Sequence, residues 1–326
     1  MILVTGATGF VGYHVAQALA RRGEALRLLV RKTSNLTHLS GIPNYETAEG
    51  DLRDRASLDR AVQGCSMLFH VAADYRFDVA DPQDVYKSNV EGTANLLEAA
   101  GNAGVKRIVY TSTVGCIGFL KDALANEDTP VSLEMMVGTY KRTKFQAEQK
   151  ALELARRGLP IVIVNPTAPV GELDAKPTPT GDMIVRFLKR KMPAVIDTGL
   201  NLIDVHDCAE GHVLAAEKGR LGERYILGCK NMTLMAIARA LAELSGLAPP
   251  RMHLPYIVAY LAGWFDTKIA LARGKTPEIS LESVKMAKKK MWVDCSKAVK
   301  ELNLPQTPPE EALRRAIDWY RKNEYV

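Results

Sequence analysis

Tyr140 and Lys144 stand four residues apart in the run Tyr140-Lys-Arg-Thr-Lys144, so a helix would present both side chains on one face. Free tyrosine titrates near pH ~10 and is a poor base at neutral pH, but a lysine ammonium one turn away favours its ionised form. The pair could therefore exchange a proton with a substrate. This spacing also occurs by chance on protein surfaces. The preceding run Thr111-Ser112-Thr113, whose hydroxyl groups can orient a carbonyl, favours the catalytic interpretation.

The chain begins with a short apolar strand, Ile2–Val4, and a glycine-rich turn that opens a helix. In Gly6-Ala-Thr-Gly9-Phe-Val-Gly12, the first glycine permits a tight turn and the second lets backbone N–H groups approach phosphate oxygens. The third lets helix and strand pack, and the helix N-terminus adds positive potential. We expect a dinucleotide pyrophosphate to bind this loop through Gly6, Thr8, Gly9, Phe10, Val11 and Gly12.

The residues after the second predicted strand, Ala25–Val30, set the choice of dinucleotide. An acidic side chain there would bind the ribose diol of NAD, but the chain continues with Arg31-Lys32. Because a guanidinium binds a 2′-phosphate in bidentate fashion, we predict NADP, with NAD as the alternative if Arg31 stacks on adenine or lies in solvent. Asp51, in Gly50-Asp51-Leu52, is placed to bond the adenine amino group or, alternatively, to cap its own loop.

Apolar strands alternate with helical patterns through the first half, which predicts an α/β fold with a doubly wound, parallel Rossmann sheet. The predicted strands are Ile2–Val4, Ala25–Val30, Tyr45–Glu49, Met67–Val71, Ile108–Thr111 and Ile161–Val164. The predicted helices are Val11–Arg22, Ala56–Val62, Asp84–Ala100 and Thr139–Arg157.

The pattern changes after Pro166, where further prolines and Gly181 indicate a long loop typical of a binding site. Helical segments follow at Met183–Lys191, Asp207–Glu217 and Leu234–Ser245. We expect residues 1–167 to form the dinucleotide-binding domain. Residues 168–326 should form a smaller, mostly helical substrate lobe that returns some segments to the Rossmann core.

Several motifs together resemble the extended short-chain dehydrogenase/reductases, the NAD-dependent epimerase/dehydratase family. These motifs are TGATGFVG, GDL, His70-Val-Ala-Ala73, Asn89-Val-Glu-Gly-Thr-Ala-Asn-Leu-Leu, TSTVG, YKRTK and Asn165-Pro-Thr. The dihydroflavonol 4-reductase-like branch is nearest, and within it the bacterial hopanoid-associated sugar epimerases. Those proteins are similar in the loop Pro177–Gly181, in Gly222-Glu-Arg-Tyr-Ile-Leu-Gly228 and in the region of Met286-Ala-Lys-Lys.

The resemblance implies a role for each matching residue. Tyr140 would be the acid/base, and Lys144 would hold the nicotinamide ribose and, together with the oxidised ring, lower the pKa of Tyr140. Thr113 would orient the substrate carbonyl. The remaining cofactor contacts would come from Leu52, Ala72, Ala73, Thr111, Pro166 and Thr167. Asn89 is expected to buttress the sheet and His70 to be a satisfied core histidine, while His206 is open to either interpretation.

The predicted activity is NAD(P)(H)-dependent hydride transfer at a ketone or secondary alcohol, on a hopanoid side-chain sugar or polyol by resemblance. Sugar-nucleotide epimerases are similar to one another in a segment whose arginine clamps the diphosphate, but Leu200 takes that place here. The missing charge-assisted contact forfeits roughly 1.5–3 kcal/mol, which favours a neutral, bulky or lipid-linked substrate. The alternatives are an epimerase with a tightly held cofactor and a cofactor-sensing regulatory protein.

Composition excludes several classes. The chain has 326 residues and a net charge of +6, but its basic residues are dispersed, so no nucleic-acid interface is expected. Five scattered cysteines, never at CxxC spacing, predict neither a metal site nor a disulfide framework. With a strand beginning at Ile2 and no apolar run of about 18 residues, we expect neither a signal peptide nor a membrane span. The predicted location is cytoplasmic.

One apolar run, Leu254–Phe265, carries a stripe of aromatic residues. Three aromatic side chains recur at every fourth residue and would share a helical face: Tyr256, Tyr260 and Trp264. Three basic residues follow: Lys268, Arg273 and Lys275. The stripe is expected to pack in the lobe core or in a homodimer contact. The alternative is a peripheral contact with the inner membrane, because aromatic rings with polar tips favour the bilayer interface and cations attract anionic lipid.

Overall fold

A computed structural model describes residues 1–75, 81–121, 123–273, 277 and 281–326. Its strands are β1 (Ile2–Thr5), β2 (Leu26–Val30), β3 (Tyr45–Glu49), β4 (Met67–His70), β5 (Arg107–Thr111), β6 (Ile161–Pro166), β7 (Ala168–Val170), β8 (Ala194–Val195), β9 (Gly199–Asp204), β10 (Arg224–Leu227), β11 (Lys230–Thr233) and β12 (Met252–His253). Its α-helices are α1 (Phe10–Arg21), α2 (Arg55–Ala61), α3 (Pro82–Tyr86), α4 (Gly92–Asn102), α5 (Gly138–Arg156), α6 (Pro179–Leu188), α7 (Val205–Lys218), α8 (Leu234–Ser245), α9 (Tyr256–Ala272), α10 (Leu281–Met286), α11 (Ser296–Leu302) and α12 (Pro309–Lys322).

The main sheet has the strand order β10-β6-β5-β4-β1-β2-β3, and every neighbouring pair runs parallel. The order reverses at β1, so the carboxyl ends of β1 and β4 frame the crevice in which doubly wound sheets bind their ligands. The predicted Rossmann sheet is thus confirmed. β10 lies in the second half of the chain and joins the edge of this sheet beside β6.

Two apolar layers cover the sheet. Helices α1 and α7 pack on one face through residues such as Val15 and Val213. Helices α2, α4 and α5 pack on the other face through residues such as Leu97 and Ala151. Burial on both faces explains why the strands read as nearly continuous apolar runs rather than as alternating patterns.

The helix predicted over Asp84–Ala100 is interrupted. It consists of α3, a π-helical segment at Lys87–Glu91 and α4. The π-helical segment forms one turn that is wider than an α-helical turn. Asn89 lies within the wide turn and is buried. A periodicity argument could not locate this turn, since the apolar pattern continues across it.

The remaining elements form a second cluster beside the sheet. A small sheet of β11, β9 and β7 packs with α6, α8 and α12 around a core that includes Ile184, Leu241 and Ile317. This cluster is connected to the segment after β7 by Tyr320, whose hydroxyl donates to the carboxylate of Asp174 at 3.0 Å. The lobe therefore stands next to the carboxyl edge of the main sheet, where β6 ends.

The turn between β1 and α1 depends on two close backbone contacts. Gly6 has a φ of +77°, in the left-handed region, and a Cβ at this residue would lie 2.7 Å from the backbone nitrogen of Ala72. A Cβ on Gly12 would lie 2.1 Å from the carbonyl oxygen of Gly6. Both contacts are with backbone atoms, so a side chain at either position would push β1, α1 and the loop after β4 apart.

We predict that Gly12→Ala destabilises the protein by about 3 kcal/mol, because the methyl group meets backbone rather than a flexible side chain. Chemical denaturation measures this loss. The matched control is Gly101→Ala in α4, where the new Cβ would meet only side-chain atoms of Leu159, at 3.2 Å or more, and where alanine favours the helix. Equal stabilities of the two variants would contradict the packing argument.

Candidate active site

The N-terminus of α1 faces the crevice without a side-chain cap. Gly9 occupies the N-cap position, its N–H donates to the carbonyl of Gly6 at 2.9 Å, and no described side chain caps this end. Thr8 and Gly9 are exposed, while Phe10 and Val11 are half-buried. Free N–H groups at a helix N-terminus bind anionic groups, so the turn fits a pyrophosphate.

The adenosine end of the predicted cofactor site carries Arg31, which is exposed just beyond β2. The Asp51 carboxylate accepts three bonds from Arg53: one from its backbone N–H and two from its guanidinium, at 2.9–3.0 Å. Hydrogen bonds from Arg53 and the charge of Arg31 lower the pKa of Asp51, so it is ionised. This geometry matches the loop-capping alternative for Asp51; contact with adenine stays a prediction. Leu52 lies beside Gly92 of α4, where a Cβ would be 2.7 Å from it.

The loop after β4 is held in place by buried hydrogen bonds. The Thr5 hydroxyl accepts from the backbone N–H of Ala72 at 3.1 Å and contacts Nδ1 of His70 at 2.8 Å. Nε2 of His70 lies 3.0 Å from the Thr93 hydroxyl, and burial lowers the pKa of His70 to about 3. His70 is therefore a neutral core histidine with both ring nitrogens paired. It contacts the Thr5 hydroxyl, which in turn holds the backbone of Ala72 against the glycine turn.

Asn89 supports the same loop rather than the sheet. Its side-chain carbonyl accepts from the N–H of Asp74, and its amide donates to the carbonyl of Asp74, both at 2.8 Å. The amide also lies 3.2 Å from the hydroxyl of Thr143 on α5. The wide turn at Lys87–Glu91 thus connects the loop after β4 to the helix that carries Tyr140.

Lys144 is buried at the carboxyl end of β5. Its Nζ donates to the Tyr110 hydroxyl at 3.0 Å and to the Thr111 carbonyl at 2.8 Å. Burial lowers the pKa of Lys144 to about 8. An ammonium has three N–H donors, and two have partners among the described residues. The predicted contact of the third with a ribose hydroxyl stays a prediction.

Tyr140 lies on the same face of α5 and is half-buried. Burial of its hydroxyl raises the pKa of Tyr140, and the neighbouring Cys116 and Tyr75 act in the same direction. A hydrogen bond with the side chain of Thr113 favours the ionised form. Lys144, one turn further along α5, donates to Tyr110 and Thr111 of β5. Activation of Tyr140 by Lys144 and the oxidised nicotinamide ring stays a prediction.

The three hydroxyls predicted to orient a carbonyl have separate surroundings. Thr111 is buried and its hydroxyl lies 3.0 Å from Nε2 of His212 on α7. Ser112 is also buried, whereas Thr113 is half-buried and bonded to Tyr140. Only Thr113 is thus placed beside the predicted acid/base.

A buried carboxylate that the sequence argument missed positions Thr113. Glu148, one turn after Lys144 on α5, accepts from the side-chain amide of Asn165 at 2.7 Å. That amide also donates to the Thr113 carbonyl at 3.0 Å, and Arg224 pairs with Glu148 at 3.2 Å. The spacing of Tyr140, Lys144 and Glu148, four residues each time, could have indicated a third functional group on this face.

The end of β6 carries the predicted nicotinamide-binding residues. Pro166 closes the strand, and Thr167 follows it with its N–H and hydroxyl both donated to the carbonyl of Leu227, at 3.0 and 3.1 Å. These contacts tie the end of β6 to β10. Pro166 and Thr167 therefore lie at the carboxyl edge of the sheet, like Thr113 at the end of β5.

His206, left open by the sequence, pairs with a carboxylate of the segment after β7. Its Nε2 lies 2.7 Å from Glu172, whose backbone carbonyl lies 3.0 Å from Nε2 of His14 on α1. Arg315 of α12 also pairs with Glu172, at 3.3 Å. Burial alone would raise the pKa of Glu172, but its bond with His206 and the nearby charges lower it to about 2. The cluster joins the cofactor helix to the lobe.

Fold and site together define an NAD(P)-dependent short-chain dehydrogenase/reductase of the extended type. Residues 2–228 match the sequence model of the NAD dependent epimerase/dehydratase family, and the chain belongs to this family. It is an NAD(P)-dependent enzyme of the oxidoreductase or epimerase kind. None of its described helices is both long and apolar enough to cross a membrane.

Similar proteins match along the whole chain. A candidate dihydroflavonol 4-reductase of Synechocystis sp. is 44% identical over 99% of this chain and 95% of its own length. Sterol demethylase protein B of Methylococcus capsulatus is 35% identical over 99% of both. The crystal structure of PA4631, a nucleoside-diphosphate-sugar epimerase from Pseudomonas aeruginosa, has a TM-score of 0.81 and 29% identity, and covers 100% of this chain and 98% of that one.

Proposed function

We propose that this protein is an NADP(H)-dependent oxidoreductase that interconverts a ketone and a secondary alcohol on a bulky, apolar substrate. Tyr140 and Lys144, in the first turns of α5, lie together with Thr113 just after the carboxyl end of β5. The uncapped N-terminus of α1 faces the same edge of the sheet. This grouping is the observation that carries the proposal. Proton transfer, carbonyl orientation and dinucleotide binding each have a matching group there.

The substrate oxygen would lie between the hydroxyls of Thr113 and Tyr140. Thr113 orients it, and Tyr140 donates a proton to it in reduction or removes one in oxidation. The bound nicotinamide supplies or accepts the hydride. Lys144 holds the ribose and contributes positive charge, which favours the tyrosinate that burial otherwise disfavours. Glu148 and Asn165 keep the backbone of Thr113 in position.

Arg31 supports the preference for NADP. It is exposed at the end of β2, where the ribose of adenosine binds in doubly wound sheets, and no acidic residue follows that strand directly. Asp51 is paired with Arg53, so it competes less with a 2′-phosphate for the guanidinium of Arg31. NAD is the weaker candidate.

The substrate we favour is a hopanoid side-chain sugar or polyol, or another lipid-linked alcohol. Leu200 on β9 takes the place of the arginine that clamps a diphosphate; it pairs with Met291 and packs against the apolar core of the lobe, so this position offers no positive charge to a diphosphate. One relative at 35% identity is named for a sterol, which is also a polycyclic lipid. Such a substrate resides in a membrane, so we propose a cytoplasmic protein that works at the membrane surface.

The epimerase alternative is favoured by the family description and by the similar structure from Pseudomonas aeruginosa. The two functions differ in what happens to the cofactor. A reductase changes the absorbance of reduced nicotinamide in proportion to product, whereas an epimerase turns over with no net change. Incubating the enzyme with hydroxylated polycyclic lipids and following both product and absorbance separates them.

Tyr140→Phe removes one hydroxyl and little surface. We expect kcat to fall by about 10²–10⁴-fold, because a proton-transfer group is lost, while the Kd for NADP stays nearly unchanged. Steady-state kinetics and a fluorescence titration of the cofactor measure the two quantities. If the variant keeps more than about a tenth of the wild-type kcat, Tyr140 is not the acid/base.

Arg31→Ala should weaken NADP binding by roughly ten- to a hundredfold and leave NAD binding almost unchanged, because only NADP offers a 2′-phosphate. Lys32→Ala is the matched control: it removes the same charge from the next, also exposed, residue. Titration of both cofactors against all three proteins tests the assignment. Tighter binding of NAD than of NADP by the wild type would rule it out.

A further inference from the structure

Helix α9 packs with its small residues and exposes its large ones. The buried positions are Ala259, Gly263, Thr267 and Ala270. The opposite face consists of large apolar side chains that are 40–61% exposed: Ile257, Val258, Leu261, Trp264, Phe265, Ile269 and Leu271. We call these seven residues the α9 apolar face. Water-exposed surfaces of this size and composition are typical of contacts with another molecule or with lipid.

The exposed face differs from the predicted aromatic stripe. Tyr256 and Tyr260 lie near each other, with ring centroids 6.2 Å apart, but both are half-buried. Trp264 is exposed and packs edge-on against Phe265 at 4.9 Å. The helix is therefore rotated so that aliphatic side chains, rather than tyrosines, form most of the surface.

The charge around α9 indicates what covers this face. Residues 251–290 contain eight Lys and Arg against three Asp and Glu, a net charge of +5 within a chain of +6. Lys268 lies on the exposed side of α9, and Arg251, Arg273, Lys285 and Lys288 are also exposed. Lys275 lies outside the described residues. A second copy of the chain would place this positive region against itself in a two-fold contact, which is unfavourable.

The same lobe covers the helix that carries Tyr140. Glu282 of α10, which packs on α9, lies against Gly138 at the start of α5, where a Cβ would be 1.7 Å from the carboxylate. Lys288 stands over the ring of Tyr256, and Met291 lies 3.6 Å from Nζ of Lys141 on α5. Helix α10 and Met291 thus lie between the α9 apolar face and the helix that carries Tyr140.

We propose that the α9 apolar face inserts into the surface of an anionic lipid bilayer, with its surrounding Lys and Arg side chains at the lipid phosphates. The proposal rests on the proposed function in one respect: it explains how a lipid-linked substrate reaches Tyr140 without crossing water. The apolar side chains would lie among the acyl chains, and Lys268 would extend towards the headgroups. The contact is peripheral.

Vesicle flotation tests this proposal, using phosphatidylcholine alone and phosphatidylcholine with phosphatidylglycerol. We expect wild type to float with the anionic vesicles, less so at high salt. Ile257→Gln/Phe265→Gln should weaken partitioning by at least roughly tenfold, because two exposed apolar groups are lost. Lys268→Gln/Arg273→Gln should weaken binding to anionic vesicles by about fivefold per charge. The matched control Leu124→Gln/Leu221→Gln replaces two apolar residues of similar exposure elsewhere and should float like wild type.

Each other outcome overturns the proposal. If wild type does not float with the vesicles, the α9 apolar face does not bind lipid. If, in addition, wild type sediments as a dimer and Ile257→Gln/Phe265→Gln as a monomer, a second copy of the chain covers this face. If Ile257→Gln/Phe265→Gln floats as well as wild type, another surface of the protein binds the vesicles. Unfolding midpoints and turnover of a water-soluble ketone check that the variants are intact. Flotation does not depend on turnover, so a failed activity assay would count against the proposed function alone.

Discussion

The ammonium group of Lys144 is buried at the carboxyl edge of the sheet, where a charge is costly unless polar groups surround it. β5 provides two acceptors, the Tyr110 hydroxyl and the Thr111 carbonyl, and Glu148 lies one turn further along α5. These partners require α5 to pack closely on β5. That packing also fixes where Tyr140 and Thr113 lie.

The surroundings of the Tyr140 hydroxyl favour its protonated form, which is the form that donates a proton in reduction. Burial raises the pKa of Tyr140, and Lys144, one turn away, donates to Tyr110 and Thr111 of β5. The glycine turn, the loop after β4 and the wide turn at Asn89 are joined by hydrogen bonds to Thr5, Asp74 and Thr143. The glycine turn and the helix that carries Tyr140 therefore belong to one connected framework.

The strands and the doubly wound fold could be predicted from the sequence, because buried parallel strands are apolar along their length. The glycine turn after the first strand could be predicted too, because its glycine spacing is visible within a few residues of sequence. The wide turn at Lys87–Glu91 and the Glu148–Asn165–Thr113 contacts did not follow, since they depend on residues that meet only after folding. The orientation of α9 did not follow either, since the residues that it buries are small ones and not the aromatic ones. The boundary at residue 167 and the roles of individual cofactor contacts stay predictions.

The most direct test is the ionisation of Tyr140 itself. Ultraviolet difference titration, wild type minus Tyr140→Phe, follows one tyrosinate as pH is raised, with and without saturating NADP⁺. Without cofactor we expect a pKa above that of free tyrosine, about 10, and with cofactor a pKa clearly below it. The same pKa in both states, or ionisation near neutral pH without cofactor, would contradict the account.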